Sequence, residues 1–156
     1  METLKEYIKR HEGTKLKPYP CPTGHMTIGV GHNLEIDLPH DIAEYLYAHL
    51  EITEAMAEEV LDLDIAEAER VAEILFYNFA ELTENRKKVF VDLCFNMGMR
   101  RTSKWRGLRK AVRKNDWELA ADELMWHNGV TKDYLSDYFT QVKGRAIENI
   151  KMIREG

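Results

Sequence analysis

The sequence predicts an α+β fold: a small antiparallel β-sheet lobe and a larger helical lobe, joined by a long helix. Three observations predict it. The helical period of apolar residues disappears over residues 14–36, where Pro18, Pro20 and Pro22 forbid helix and favour extended chain. Inside that gap "MTIGVGH" (26–32) changes face at every residue, the two-residue period of a strand. After residue 37 the chain carries helix caps and apolar stripes at three- and four-residue spacing.

The elements follow in chain order. Thr3-x-x-Glu6 reads as a capping box, and Leu4, Tyr7, Ile8 and His11 line one face of a short helix over 3–12. Gly13 is a natural residue to end it, directly after Glu12. A small antiparallel sheet follows, with Thr23-Gly24 at a turn. Cys21 stands just before that turn and Thr27 just after it, so the hairpin brings the two side chains into one neighbourhood. Met26, Ile28 and Val30 are expected on one face. Thr27, Gly29 and Gly31 are expected on the other, where the glycines leave room for a backbone or a ligand.

Asp37 is expected to cap a helix over about 38–50, with Pro39 in its first turn. Thr53 caps the long helix, whose stripe is Val60, Leu61, Ala68, Val71, Ala72 and Leu75. Thr83 caps "ENRKKVFVDLCFNM", stopped by Gly98. Trp105, Leu108 and Val112 mark a helix, Asp116 begins another through Trp117, Ala120, Ala121 and Leu124, and Val142, Ala146, Ile150 and Ile153 mark the last. "HNGVTKDYLSD" (127–137) reads as a loop. The expected layout is one domain over 1–156, with a small lobe at about 13–52, the joining helix at about 53–75 and a helical lobe at about 76–156. Helix 3–12 is expected near the helical lobe, and a ligand in a cleft between lobes.

Composition narrows the class. Apolar residues make up 44% of the 156, as in globular proteins. No apolar run approaches the roughly 18 residues that span a bilayer. "METLKEYIKRHEG" has no signal-peptide centre, so the chain is expected to stay in the cytoplasm until something else releases it. Two cysteines make no disulfide framework, and a cytoplasmic origin argues against a Cys21–Cys94 bridge. Cys94, on a helix face with Phe90 and Leu93, reads as a small buried hydrophobe.

The net charge of −5 hides an asymmetry. Residues 1–99 hold 9 Lys/Arg against 19 Asp/Glu, while residues 100–156 hold 13 against 8. Eight cations fall in 100–114: Arg100, Arg101, Lys104, Arg106, Arg109, Lys110, Arg113 and Lys114. They read either as a solvated helix face or as a site for a polyanion.

Several side chains can do chemistry. Glu12 ends a helix, where the macrodipole and partial burial disfavour its charge and suit it to general acid work. It reads equally as an ordinary surface glutamate. Cys21 has three readings: a buried small residue, a nucleophile activated by His25 or His32, or an occupant of a carboxylate's position. The Thr27 hydroxyl can hold a water, or simply be that of a strand threonine. His32 has a candidate partner in Asp64, on the face of the long helix expected to be buried. The histidines show no metal spacing and there is no phosphate loop, so no metal or cofactor is expected.

Together these residues resemble the phage-type lysozymes, the endolysins of glycoside hydrolase family 24. The resemblance rests on "IKRHEGTKLKPYPCPTGHMTIGVGH": a Glu at a helix end, eight residues, Cys21, five residues, then Thr27 in a "TIGxGH" strand. It implies a lysozyme-like fold, with Glu12, Cys21 and Thr27 as the catalytic set and His32 and Asp64 as a structural pair. It further implies substrate contacts at Gly31, Asn33, Phe95 and Asn96, and a monomer acting on peptidoglycan during host-cell lysis. The implied reaction cleaves the β-1,4 bond between N-acetylmuramic acid and N-acetylglucosamine. Glu12 protonates the leaving oxygen, Thr27 holds the water, and residue 21 helps that water or stabilises the transition state. The basic segment then suits an anionic wall polymer, or anionic lipid met by "KWRGLRKAVRK" as an amphipathic helix. Three alternatives stand beside this reading: a lytic transglycosylase, a cysteine amidase using Cys21, and a helical nucleic-acid-binding module on 100–114. Nucleic acid is not the expected partner.

Overall fold

The computed structural model describes residues 2–156. The fold is α+β. In order come α1 (Leu4–Glu12), β1 (Lys15–Pro20), β2 (Met26–Gly29), β3 (His32–Asn33), α2 (His40–His49) and α3 (Glu54–Leu75). A single 3₁₀ turn (Phe79–Glu81) precedes α4 (Glu84–Thr102), α5 (Arg106–Arg113), α6 (Trp117–Met125), α7 (Asp137–Val142) and α8 (Gly144–Glu155). By contacts the chain divides into two units, one ending at Glu67 and one spanning Ala68–Gly156, so the division falls within α3. Among the described residues no helix is long and apolar enough to cross a membrane.

In the first unit, α1 starts at a complete capping box. Thr3 Oγ1 accepts from the Glu6 N–H, and the Glu6 carboxylate accepts from the Thr3 N–H. It stops at Gly13, whose φ of 71° is open to glycine and whose N–H reaches back to the Lys9 carbonyl at 2.9 Å. Helix 3–12, expected near the helical lobe, is grouped by its contacts with this unit. There Lys5 pairs with Glu58 and Asp62 of α3 at 2.8 and 2.6 Å, and Lys9 pairs with Glu58. Each pair is partly solvated and contributes under about 1 kcal/mol, but together they fix the register of α1 on α3.

The three strands form an antiparallel sheet in the order β1-β2-β3. Tyr19 faces Thr27, and Thr27 faces Asn33, so these three stand in one cross-strand row. Ile28, Ile42, Ile52, Ala57 and Val60 form the core beneath, joined by Leu16, Leu34, Leu38, Leu46 and Met56.

In the second unit α6 packs on α5 and α8, and α8 also on α4. Its apolar core includes Val89, Phe90, Leu93, Leu108, Val112, Leu124 and Ile153. An ionic cluster sits inside it: Asp92 accepts from Arg145 Nη2 at 2.6 Å and from Asn149 Nδ2 at 2.8 Å. Asn149 Nδ2 also donates to the Tyr138 hydroxyl at 2.7 Å.

Three local expectations are corrected, and one is borne out. Asp37 does not cap α2; the helix begins only after Pro39, at φ −49° and ψ 139°, with no side-chain cap. Leu38 precedes a proline and is therefore kept out of helical conformation. Gly98 does stop the helix begun at Thr83, as expected: at φ 68° and ψ 171° it is non-helical, and the rest of the α4 range, to Thr102, is a second helical stretch beyond that kink. Val142 closes α7 rather than joining α8, because Lys143 at φ 34° separates the two. Finally, the Gly29 position is not bare. A Cβ there would meet Ala57 and Ile52 at 3.6–3.7 Å, and the φ of +63° itself disfavours any side chain.

Candidate active site

Glu12 is the last residue of α1 and is half-buried. Gly31, at φ +78°, passes against its carboxyl group. A Cβ on Gly31 would lie 3.2 Å from Glu12 Oε2 and 3.3 Å from its carboxyl carbon. The glycine-rich turn after β2 therefore forms one wall of the space around this acid.

The second group is carried by the β1–β2 turn. Gly24 N–H donates to the Cys21 carbonyl and Cys21 N–H to the His25 carbonyl, both at 2.8 Å. That closed turn sets Cys21 Sγ 3.0 Å from Thr23 Oγ1. The Thr27 hydroxyl donates to the same His25 carbonyl at 3.2 Å. Its proton is thereby engaged, and its lone pairs are left to accept. Thr27 itself is buried at 4% exposure, so the hydroxyl sits at the edge of the core rather than in bulk water.

Electrostatics link these groups. The Thr23 hydroxyl, with the backbone N–H groups of Thr23 and His25 assisting, pulls the Cys21 thiol down to about 7 against the opposing effect of burial. Burial, then the charges of Glu12 and Cys21, push the Tyr19 phenol up. Tyr19 therefore feels both groups at once. His25 Nδ1 lies 3.0 Å from Glu35 Oε1, and that hydrogen bond and charge raise the imidazole, with a smaller contribution from Cys21. Glu35 is lowered in return, first by His25.

His32 and Asp64 meet behind the sheet. His32 Nδ1 is 2.9 Å from Asp64 Oδ2, and Nε2 is 3.3 Å from the Ile36 carbonyl. Both partners are acceptors, an arrangement that favours the protonated imidazole. Burial opposes that charge, but Asp64 and the Ile36 carbonyl outweigh it and raise the imidazole. The stabilisation from this pair is complete below the free imidazole value of about 6.5 and fades as pH rises through the raised value.

Of the remaining candidates, Asn33 ends the Tyr19–Thr27 row, and its Oδ1 accepts from the Glu35 N–H at 2.9 Å. Phe95, half-buried, and Asn96, exposed, are in α4 of the second unit. Cys21 and Cys94 are both free thiols. No cluster of three metal-ligating side chains occurs among the described residues. In the basic segment Leu108, Ala111 and Val112 of α5 are fully buried, and Trp105 rests edge-on against Tyr138. The apolar side of α5 is thus spent inside the second unit, and its outward side is charge. Arg109 is itself engaged, donating to the carbonyls of Leu75 and Ser103.

Sequence reasoning passed over Tyr19, Thr23 and Glu35. The register of β1 on β2 brings in Tyr19, and a hydroxyl two residues after Cys21 in a tight turn was the available signal for Thr23.

A small antiparallel sheet, a long helix and a helical unit make up a lysozyme-like α+β fold. The phage lysozyme family model matches residues 9–141, and the chain belongs to that family. It is similar to "Probable T4-type lysozyme 2" of Dictyostelium discoideum, 28% identical over 140 residues, covering 80% of this chain and 82% of that one. A second protein of that organism, "Probable T4-type lysozyme 1", is 24% identical over 140 residues with the same coverage, 80% and 82%. An endolysin of Acyrthosiphon pisum secondary endosymbiont phage 1 is 34% identical over 92 residues, 59% of this chain and 55% of that one.

Proposed function

We propose that this chain hydrolyses the β-1,4 bond between N-acetylmuramic acid and N-acetylglucosamine in peptidoglycan, with Glu12, Cys21 and Thr27 as its catalytic residues. The observation that carries the reading is geometric: Glu12 ends α1 against Gly31, and the hairpin beside that turn holds Cys21 and Thr27 on one carbonyl, that of His25. Glu12 gives its proton to the leaving oxygen as the glycosidic bond breaks. Thr27, with its own proton on the His25 carbonyl, accepts a hydrogen bond from the attacking water. The water oxygen bonds to the anomeric carbon and its proton passes to the Cys21 sulfur. That sulfur is anionic above about pH 7. Solvent then returns a proton to Glu12 and removes one from Cys21.

His32 and Asp64 hold the turn that carries Gly31, and Gly31, Asn33, Phe95 and Asn96 contribute substrate contacts. The chain acts as one lysozyme-like domain and as a monomer. In host-cell lysis it reaches the wall through a membrane hole made by another protein. Arg100, Arg101, Lys104, Arg106, Lys110, Arg113 and Lys114 meet an anionic wall polymer by charge, since α5 has no apolar side to offer a lipid.

Purified peptidoglycan tests the reading. Glu12→Gln should lower the rate by at least about 10²-fold, the contribution of a general acid, and the wild-type products should carry free reducing ends. Anhydro ends would mean a transglycosylase. An active Glu12→Gln beside a dead Cys21→Ser would mean a cysteine amidase.

A further inference from the structure

We propose that Thr23 is a positioning residue for this reaction: its hydroxyl donates to the Cys21 sulfur and holds it as an anion on the water side of the site. The inference rests on the muramidase reading and answers how a thiol fills a carboxylate's place there. A carboxylate is charged without help at neutral pH, whereas an unassisted thiol is mostly protonated.

The geometry is specific. The two 2.8 Å backbone hydrogen bonds that close the turn leave Thr23 Oγ1 and Cys21 Sγ 3.0 Å apart. The His25 carbonyl accepts from both the Cys21 N–H and the Thr27 hydroxyl, so one oxygen sets the sulfur-bearing residue and the water-holding hydroxyl in a common frame. A Thr23 hydroxyl shared with a neutral thiol can point either way. Beside an anionic sulfur it must donate, and the bond becomes charge-assisted.

The charged groups around the sulfur are few. Tyr19 of β1 carries a phenol raised by burial and by Glu12 and Cys21, and so is neutral near pH 7. Glu12, at the end of α1, acts on that same phenol. His25, which follows the turn, is raised first by Glu35, which follows β3, and to a smaller extent by Cys21 itself. Thr23 is the largest single contributor to the lowered thiol. Thr23 is exposed in the turn, and serine, asparagine or glycine would serve the turn alone.

The test uses the full chain with Thr23→Val, Thr23→Ser and Glu35→Gln. Cys21 ionisation is followed by the pH dependence of its alkylation. Cys94, buried and pushed up to about 12, stays silent. In Thr23→Val the ionisation midpoint should rise by about one pH unit, the loss of one charge-assisted hydrogen bond. The acid limb of the wall-lysis profile should rise with it, and Thr23→Ser should restore both. Glu35→Gln should move both in the same direction by less. A midpoint unmoved by Thr23→Val, a midpoint that moves while the lysis profile stays, or a serine variant that behaves like valine overturns the proposal. Thr23→Ala is read in the same way if the valine variant does not fold. Lysis retained in Glu12→Gln sinks the muramidase reading instead, whatever the titration shows.

Discussion

The β1–β2 turn and the inner face of α4 each hold one of the chain's two thiols, and they treat it in opposite ways. Cys21 is half-exposed and surrounded by donors, which bring it down to about 7. Cys94 is 3% exposed among Val91, Leu93 and Phe90, and burial pushes it up to about 12. The difference teaches what sets the ionisation of a thiol in this protein. Removing water turns a thiol into a small hydrophobe, whereas a hydroxyl and a closed turn at the water's edge make it an anion.

Three experiments break or sharpen that contrast. The largest effect is kinetic. Near neutral pH, ionisation at about 7 against about 12 makes the thiolate fraction of Cys21 roughly four to five powers of ten greater, so alkylation of the folded chain should label Cys21 alone. Peptide mapping that finds Cys94 labelled at a comparable rate would erase the contrast. Next is Cys21→Asp. It should keep lysis and carry the acid limb of the pH profile from about 7 toward the ordinary aspartate value of about 4. A folded but inactive variant would mean that the sulfur itself is required. The smallest effect is at the other thiol. Cys94→Ala should cost about 1 kcal/mol through the small cavity it leaves, visible in a denaturant melt, with lysis per folded molecule unchanged. A loss of rate at full folding would give Cys94 a part in the chemistry.

What was legible in the sequence follows the range of the forces involved. The capping box of α1, the Thr53, Thr83 and Asp116 caps and the stripe of α3 are local signals, and they appear where the spacing put them. The turn between Cys21 and Thr27 was equally local. Failures came where one backbone angle decides. Leu38 is barred from helix by the proline after it, and Lys143 takes a positive φ that nothing in a lysine advertises. Gly29 looked like open space because its residue type says nothing about Ala57, which reaches it from α3. In the site, the Glu12–Cys21–Thr27 spacing was readable. The Tyr19–Thr27 register and the Thr23–sulfur contact needed the hairpin to be closed first.

Gly31 has a consequence for anyone redesigning this enzyme. Its positive φ and the 3.2 Å from a would-be Cβ to a Glu12 oxygen make positions 12 and 31 a single mutational unit, although 18 residues separate them. A substitution at 31 displaces the acid, and a longer or shorter acid at 12 changes what 31 can tolerate. Libraries that vary either position alone will record epistasis as intolerance, and only paired variation can move the Glu12 carboxyl group without losing it.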